Sequence, residues 1–173
     1  MTAGAASLSL VRDELFSTME QTEHLLEHFI AERSNGSHLQ QAVESLQQIR
    51  GTLNLIELAG AELLAQEILQ QATDIPVGAG DERNAQLSAL STALYVLRRY
   101  LETVDMHRHE FPELLLPAIN ELRQANAQPQ LPESFFFSVR LDTERPPIFG
   151  AAKVSSNFAA ETKRLRHMYQ VGL

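Results

Sequence analysis

Apolar residues recur at spacings of three and four over most of the first 126 residues, the pattern of amphipathic helices. The spacing predicts five helices, over about residues 7–33, 37–59, 61–72, 82–104 and 113–126. Ser7 or Ser9, Ser37 and Asp81 are expected to cap the first, second and fourth of them. The pair Ala59-Gly60 is expected to interrupt the chain between the second and third helices, and Pro117 predicts a kink or a late start in the fifth.

Long helices with short connections predict an all-α fold, a four-helix bundle with a fifth helix packed across it, over residues 7–126. Residues 127–173 are expected to form a Pro-containing linker, a wrapping segment and a C-terminal helix over about 156–170. Phe135, Phe136 and Phe137 are expected to be clamped against the bundle, with a docking segment as the alternative. The chain stops without an end signal, so we expect it to belong to a longer protein.

The charge is concentrated in the predicted bundle. Through Asn126 there are 18 acidic against 8 basic side chains (−10), and from Ala127 onward there are 4 against 6 (+2). An acidic body argues against nucleic acid and anionic membrane as partners, because both require clustered positive charge. The sequence has no cysteine, no apolar run long enough to insert into a membrane and no basic-apolar leader, so we expect a cytoplasmic protein.

The residues that could carry chemistry are few. His24 and His28 are one helical turn apart, the spacing at which two histidines can share a metal ion, but the sequence fixes no third ligand. We therefore predict no metal site. The sequence contains no phosphate-binding glycine loop, no nucleophile elbow and no paired-carboxylate site, so we expect a protein without enzymatic activity and without a cofactor.

The second predicted helix contains a glycine in its interior, at a cost of about 1 kcal/mol relative to alanine. The segment Gln47-x-Ile49-Arg50-Gly51 resembles the H-x-[IL]-K-G signature of histidine phosphotransfer (HPt) domains, with Gln47 where the histidine stands. A glutamine amide is not a nucleophile at neutral pH, so the phosphate acceptor is missing. Gln47 lies beside the apolar stripe, on a face that predicts partner docking through Gln40, Gln47, Arg50, Gly51 and Asn54. The alternative is a plain polar face whose glycine allows close helix packing.

The match extends over roughly residues 7–150. Residues 47–67 and 112–123 resemble the N-terminal HPt-like domain of ChpA-type chemosensory kinases of type IV pilus systems. With Gln47 and the start over residues 7–16, the chain is most similar to the N-terminal HPt-like domain of the FimL family, relatives that lack a kinase. The resemblance implies a non-catalytic module that regulates twitching motility and cyclic AMP through protein partners. It also implies a FimV-type polar scaffold and a PilG-type receiver as partners, and a location at the cell pole.

Two other functions stay open at this stage. The chain could be a structural or dimerisation domain with an incidental HPt resemblance, so a homodimer is one possible state. It could also be an active phosphotransferase that uses another histidine, although His38 lies more than two helical turns from Gln47. The basic residues Lys163, Arg164 and Arg166 are expected on the outer face of the last helix, with contact to an acidic partner as the alternative.

Overall fold

The structure, a computed structural model, describes residues 3–136. The helices are α1 (Ala3–Ala31), α2 (Gly36–Leu55), α3 (Ala59–Thr73), α4 (Asn84–His107) and α5 (Leu116–Ala125), with 3-10 turns at Asp81–Arg83 and Pro112–Leu115. Within residues 3–136 there are five α-helices and no strand, so the all-α prediction is confirmed for this part of the chain. Phe137 and the predicted last helix lie outside the described residues.

Helices α1 to α4 pack in a ring. α1 contacts α2 and α4, α3 contacts α2 and α4, and α5 lies against α3 and α4. The predicted apolar stripes point into one core, whose largest fully buried side chains include Phe29, Met19, Ile49 and Ile68. None of the helices in the described part is long and apolar enough to cross a membrane.

The predicted start of α1 at Ser7 or Ser9 is wrong. The helix begins at Ala3, and Gly4 in its first turn lies against the turn between α2 and α3. Gly4 makes this contact possible, since a Cβ there would meet Leu58 Cδ2 at 2.7 Å and the Ile56 carbonyl oxygen at 3.1 Å. Small residues and tertiary packing therefore extend the helix beyond the point where the capping residues predict its start.

The predicted interruption at Ala59-Gly60 is also wrong. The chain leaves helical geometry at Glu57, whose φ of 62° is in the left-handed region, and Ala59 already begins α3. Gly60 is buried inside α3, where a Cβ would meet Pro112 Cβ at 2.8 Å. This glycine serves a close approach between α3 and the 3-10 turn that precedes α5, and it does not break the helix.

Three other helix ends refine the predictions. Asn35 caps α2 by accepting a hydrogen bond from the Ser37 backbone N–H at 3.1 Å, so the predicted cap at Ser37 is wrong by two residues. The predicted cap of α4 at Asp81 is wrong, because Asp81 begins a 3-10 turn and α4 starts only at Asn84. The helix then runs to His107 and ends at the left-handed Arg108. The late start predicted for α5 is confirmed, because Pro112–Leu115 is a 3-10 turn and Pro117 lies in the first turn of α5.

Residues 127–136 pack against α3 and α5. The Asn120 amide donates to the Leu131 carbonyl at 3.0 Å and accepts from the Leu131 N–H at 2.7 Å. Phe136 is 2% exposed in the core, and Phe135 packs against it edge to face at 5.5 Å between ring centres. The two described phenylalanines are therefore clamped as predicted. The division at residue 126 stays a prediction.

Candidate docking surface on helix α2

Helix α2 turns one polar strip away from the core. Its buried positions, among them Leu46, Ile49 and Leu53, lie on the side that packs against α1 and α3. The five residues predicted for docking are all exposed, together with a sixth, Glu44, that the motif does not include. We call these six residues the α2 face: Gln40, Glu44, Gln47, Arg50, Gly51 and Asn54. Spacings of four and three place all of them except Arg50 along one line, and Arg50 lies at its edge one turn from Gln47.

The structure gives Gly51 no packing role within residues 3–136. A Cβ at Gly51 would have no atom within 4 Å, whereas a Cβ at Gly60 would collide with Pro112. Close packing against another part of the described chain therefore does not explain a helical glycine at position 51. What the missing side chain leaves is open space directly beside Gln47 and Arg50.

These two glycines allow a matched stability test. Gly51→Ala is expected to raise the free energy of unfolding by about 0.5–1 kcal/mol, because alanine is the better helix former and the added methyl meets nothing. Gly60→Ala is expected to lower it by about 1–3 kcal/mol, because the methyl must displace the Pro112 ring. Urea unfolding followed by circular dichroism measures both. Changes of the same sign would contradict this account of the two sites.

The polar side chains of the α2 face are nearly free of partners within the described chain. Asn54 Nδ2 donates to Glu62 Oε1 at 3.0 Å, but Gln40, Glu44, Gln47 and Arg50 make no side-chain hydrogen bond or ion pair with residues 3–136. Leu55, which follows Asn54, is 80% exposed at the end of the strip. The α2 face thus offers amide donors and acceptors and one charge of each sign, and the apolar side chain of Leu55 lies beside it. No nucleophile stands among its six residues.

The histidines are not among the six residues of the α2 face. His24 Nδ1 lies 3.7 Å from Glu27 Oε2 on the exposed side of α1, while the His28 ring lies against His38 with ring centres 5.3 Å apart. His107 and His109 both contact the ring of Phe111. Among the described residues, no three potential ligands gather closely enough to hold a metal ion.

A groove of about 350 Å³ between α1 and α4 is a second candidate surface. Its two arginines are already engaged: Arg12 Nε lies 2.8 Å from Asp105 Oδ2, and Arg98 Nε lies 3.1 Å from Glu23 Oε1. The hydrogen bond to Glu23 raises the pKa of Arg98 above its ordinary value. With both guanidinium groups paired, this groove offers little to an anionic ligand.

Sequence reasoning missed Glu44, which belongs to the α2 face, and Leu55, which lies beside it. Glu44 is three residues before Gln47, so helical spacing alone places it on the α2 face, but the motif contains no acidic position there. The orientation of Leu55 does not follow from the sequence, because it depends on where α2 ends. The structure places that end at Leu55.

Fold and site together define a class, an all-helical domain with an exposed polar helix face. The chain belongs to the FimL C-terminal domain family, whose model matches residues 5–122. It is 69% identical over its full length to "Scaffold protein FimL" of Pseudomonas aeruginosa and spans 31% of the length of that relative. No solved structure gives a significant match.

The resemblance to the FimL family is therefore confirmed. The matching model is described as the C-terminal domain, whereas the sequence resemblance indicated the N-terminal one. The relation to the HPt domain of ChpA-type kinases stays a prediction.

Proposed function

We propose that this chain is a non-catalytic, HPt-like scaffold module that binds protein partners through the α2 face. The observation that carries the proposal is the open space at Gly51, beside an exposed Gln47 and an Arg50 that has no ion-pair partner within residues 3–136. A helical glycine stands where nothing within residues 3–136 needs it, and a protein that approaches the helix closely there gives it a role. The relative's name, a scaffold protein, supports a binding role without catalysis.

In this proposal the bundle keeps the shape of a phosphotransfer domain and has lost its reaction. Gln47 stands where the phosphorylated histidine would stand, and Arg50 supplies a cation one turn away that would favour a phosphoryl group. The glutamine amide can neither accept nor donate a phosphoryl group, so binding is what the surface can still do. The degenerate phosphoacceptor position is Gln47, and no cofactor or metal is part of this function.

The partners follow from the family resemblance. We propose a PilG-type receiver or a FimV-type polar scaffold as the protein that contacts the α2 face, within the control of type IV pilus twitching motility and cyclic AMP. Such a role requires a cytoplasmic location, at the cell pole if the scaffold is the partner. Because the relative is about three times longer than this chain, these activities are proposed for the module and its partners together.

A phosphotransfer assay tests the loss of the reaction. Incubated with a phosphorylated PilG-type receiver, the wild-type chain is expected to acquire no acid-labile phosphate, because Gln47 has no acceptor nitrogen. Gln47→His places an imidazole on the same exposed face and is expected to acquire some. Acid-labile phosphate on the wild-type chain would contradict the proposal and favour an active phosphotransferase that uses another histidine.

The alternative function is a structural or dimerisation domain, with the exposed Leu55 as the observation in its favour. Light scattering across a concentration series separates the two. A mass that stays monomeric at concentrations where a receiver binds supports the docking module, and a mass that doubles without any receiver binding supports the dimerisation domain.

A further inference from the structure

The groove between α1 and α4 extends beyond its main hollow of about 350 Å³. A smaller hollow of about 190 Å³ continues it toward the end of α1 and the start of α4, and Arg98 lines both. Along α1 the lining runs from Arg12 to Glu27. At a rise of about 1.5 Å per residue, that stretch of α1 is about 22 Å long, which is enough to receive about four turns of a partner helix.

The floor of this groove is apolar and aromatic. Leu26 and Leu94 belong to the core and form its base. The Phe16 ring is half-buried at one end of the groove, and Tyr95 is 53% exposed at the other. Apolar and aromatic surface in a concave place is what the aliphatic side chains of a partner cover at a protein interface.

The charge of the lining is negative. Five carboxylates and two guanidinium groups line the two hollows, which leaves a net charge of −3: Asp13, Glu20, Glu23, Glu27 and Glu102 against Arg12 and Arg98. Both guanidinium groups are held by carboxylates, and they lie 5.7 and 5.6 Å from the ring centres of Phe16 and Tyr95. The charge that remains for a partner is therefore that of the carboxylates, and it favours a cationic partner.

Three of these carboxylates stand in a row along the rim of the groove. Asp13, Glu20 and Glu27 are exposed and seven residues apart, so they lie on nearly the same face of α1, each about 10.5 Å from the next. We call these three residues the acidic line. Within residues 3–136 Glu20 has no ion-pair partner, and the other two make only contacts of 3.6 and 3.7 Å with neighbours on α1 itself. A helix laid in the groove with a cation at every seventh residue meets one carboxylate with each cation.

We propose that the α1–α4 groove binds a basic amphipathic helix of a partner protein. The apolar side chains of that helix cover the aromatic floor, and lysine or arginine at heptad spacing pairs with the acidic line. The groove is separate from the α2 face, because α1 contacts both α2 and α4 while those two helices lie at opposite corners of the ring. A chain with docking surfaces on two sides can hold two proteins at once, and this inference does not depend on which protein binds the α2 face.

Calorimetric titration of the full chain with synthetic helical peptides tests the site. The probe is a peptide of about 18 residues, long enough to form a helix in water, with lysine at every seventh position and leucine on the adjoining face. A second peptide has the same composition in shuffled order. The wild-type chain is expected to bind one lysine peptide saturably and to bind the shuffled peptide at least about fivefold more weakly, because only the first matches both the floor and the acidic line.

Two charge reversals on α1 locate the binding. Glu20→Lys reverses the centre of the acidic line and is expected to weaken binding of the lysine peptide by about fivefold or more. Glu14→Lys makes the same change at an exposed position of α1 outside the groove, and it is expected to bind the peptide as the wild type does. Gly51→Leu is also expected to bind it unchanged, which separates this groove from docking on the α2 face.

Three results would overturn the proposal. One is a wild-type chain that shows no saturable binding of the lysine peptide or binds the shuffled peptide equally well. Another is equal weakening by Glu20→Lys and Glu14→Lys, because the attraction would then come from the net charge of the chain alone. The third is loss of peptide binding in Gly51→Leu, because the peptide would then lie on the α2 face.

Discussion

An Arg123→Ala variant is expected to unfold with a free energy about 3 kcal/mol below that of the wild type. Arg123 Nη1 lies 2.6 Å from Glu67 Oε1, and the Glu67 side chain is only 10% exposed. Removing the guanidinium leaves that carboxylate buried without its counter-charge, which is among the most destabilising changes a single substitution makes. The variant also loses the hydrogen bond from Arg123 Nε to the Pro129 carbonyl, which holds the segment after α5 in place.

The structure supplies two controls for this measurement. Arg99→Ala removes an exposed arginine that pairs with Glu102 at 3.0 Å, and it is expected to change stability by less than about 0.5 kcal/mol. Replacing both partners, Glu67→Met with Arg123→Met, leaves no uncompensated charge and is expected to cost less than Arg123→Ala alone. Urea unfolding of the four proteins gives the comparison. An Arg123→Ala loss no larger than that of Arg99→Ala would contradict the role assigned to this ion pair.

A Gly51→Leu variant is expected to lose partner binding by at least tenfold while keeping its fold. The leucine side chain fills the open space beside Gln47 and Arg50, so a protein that approaches the helix closely at Gly51 can no longer do so. Because nothing within residues 3–136 lies within 4 Å of the added Cβ and leucine forms helices better than glycine, the substitution is expected to raise the melting temperature slightly, as for Gly51→Ala. A tenfold loss corresponds to about 1.4 kcal/mol of binding free energy.

The buried core of the fold can be predicted from the sequence, because the residues that a helix buries recur at spacings of three and four. The stripe predicted for α4 is buried at every position: Leu87, Leu90, Leu94, Leu97, Leu101 and Val104. The helix ends are harder, because they depend on contacts between elements. The first turn of α1 is helical because Gly4 fits against the α2–α3 turn. No capping residue near Gly4 in the sequence predicts that contact.

Gly60 and Gly51 show that a glycine within a helical pattern is a wrong sign of a helix end at one position and marks an exposed position at the other. Glycine is a common helix breaker, so Ala59-Gly60 reads as a chain break, yet Gly60 is in a helix because Pro112 lies against it. The break itself falls at Glu57, a residue type with no preference for the left-handed region. At Gly51 the stripe alone predicts exposure, and the structure agrees.

The site is only partly readable from sequence. Exposure of Gln40, Gln47, Arg50, Gly51 and Asn54 follows from the stripe, because those positions lie off the buried side of α2. The contact between His28 and His38 does not, because it depends on how α1 and α2 meet across their turn. The partner proposed for the α2 face does not follow from these positions, because partner choice depends on the other protein's surface.

The most direct test of the docking proposal is calorimetric titration of a PilG-type receiver and of a FimV-type scaffold into three proteins. These are the wild type, Gly51→Leu and the control Ser88→Leu, which places a leucine on an exposed position of α4. The proposal predicts that one of the two partners binds the wild type and Ser88→Leu alike and binds Gly51→Leu at least tenfold more weakly. Equal binding to all three proteins, or no binding to the wild type by either partner, would contradict it.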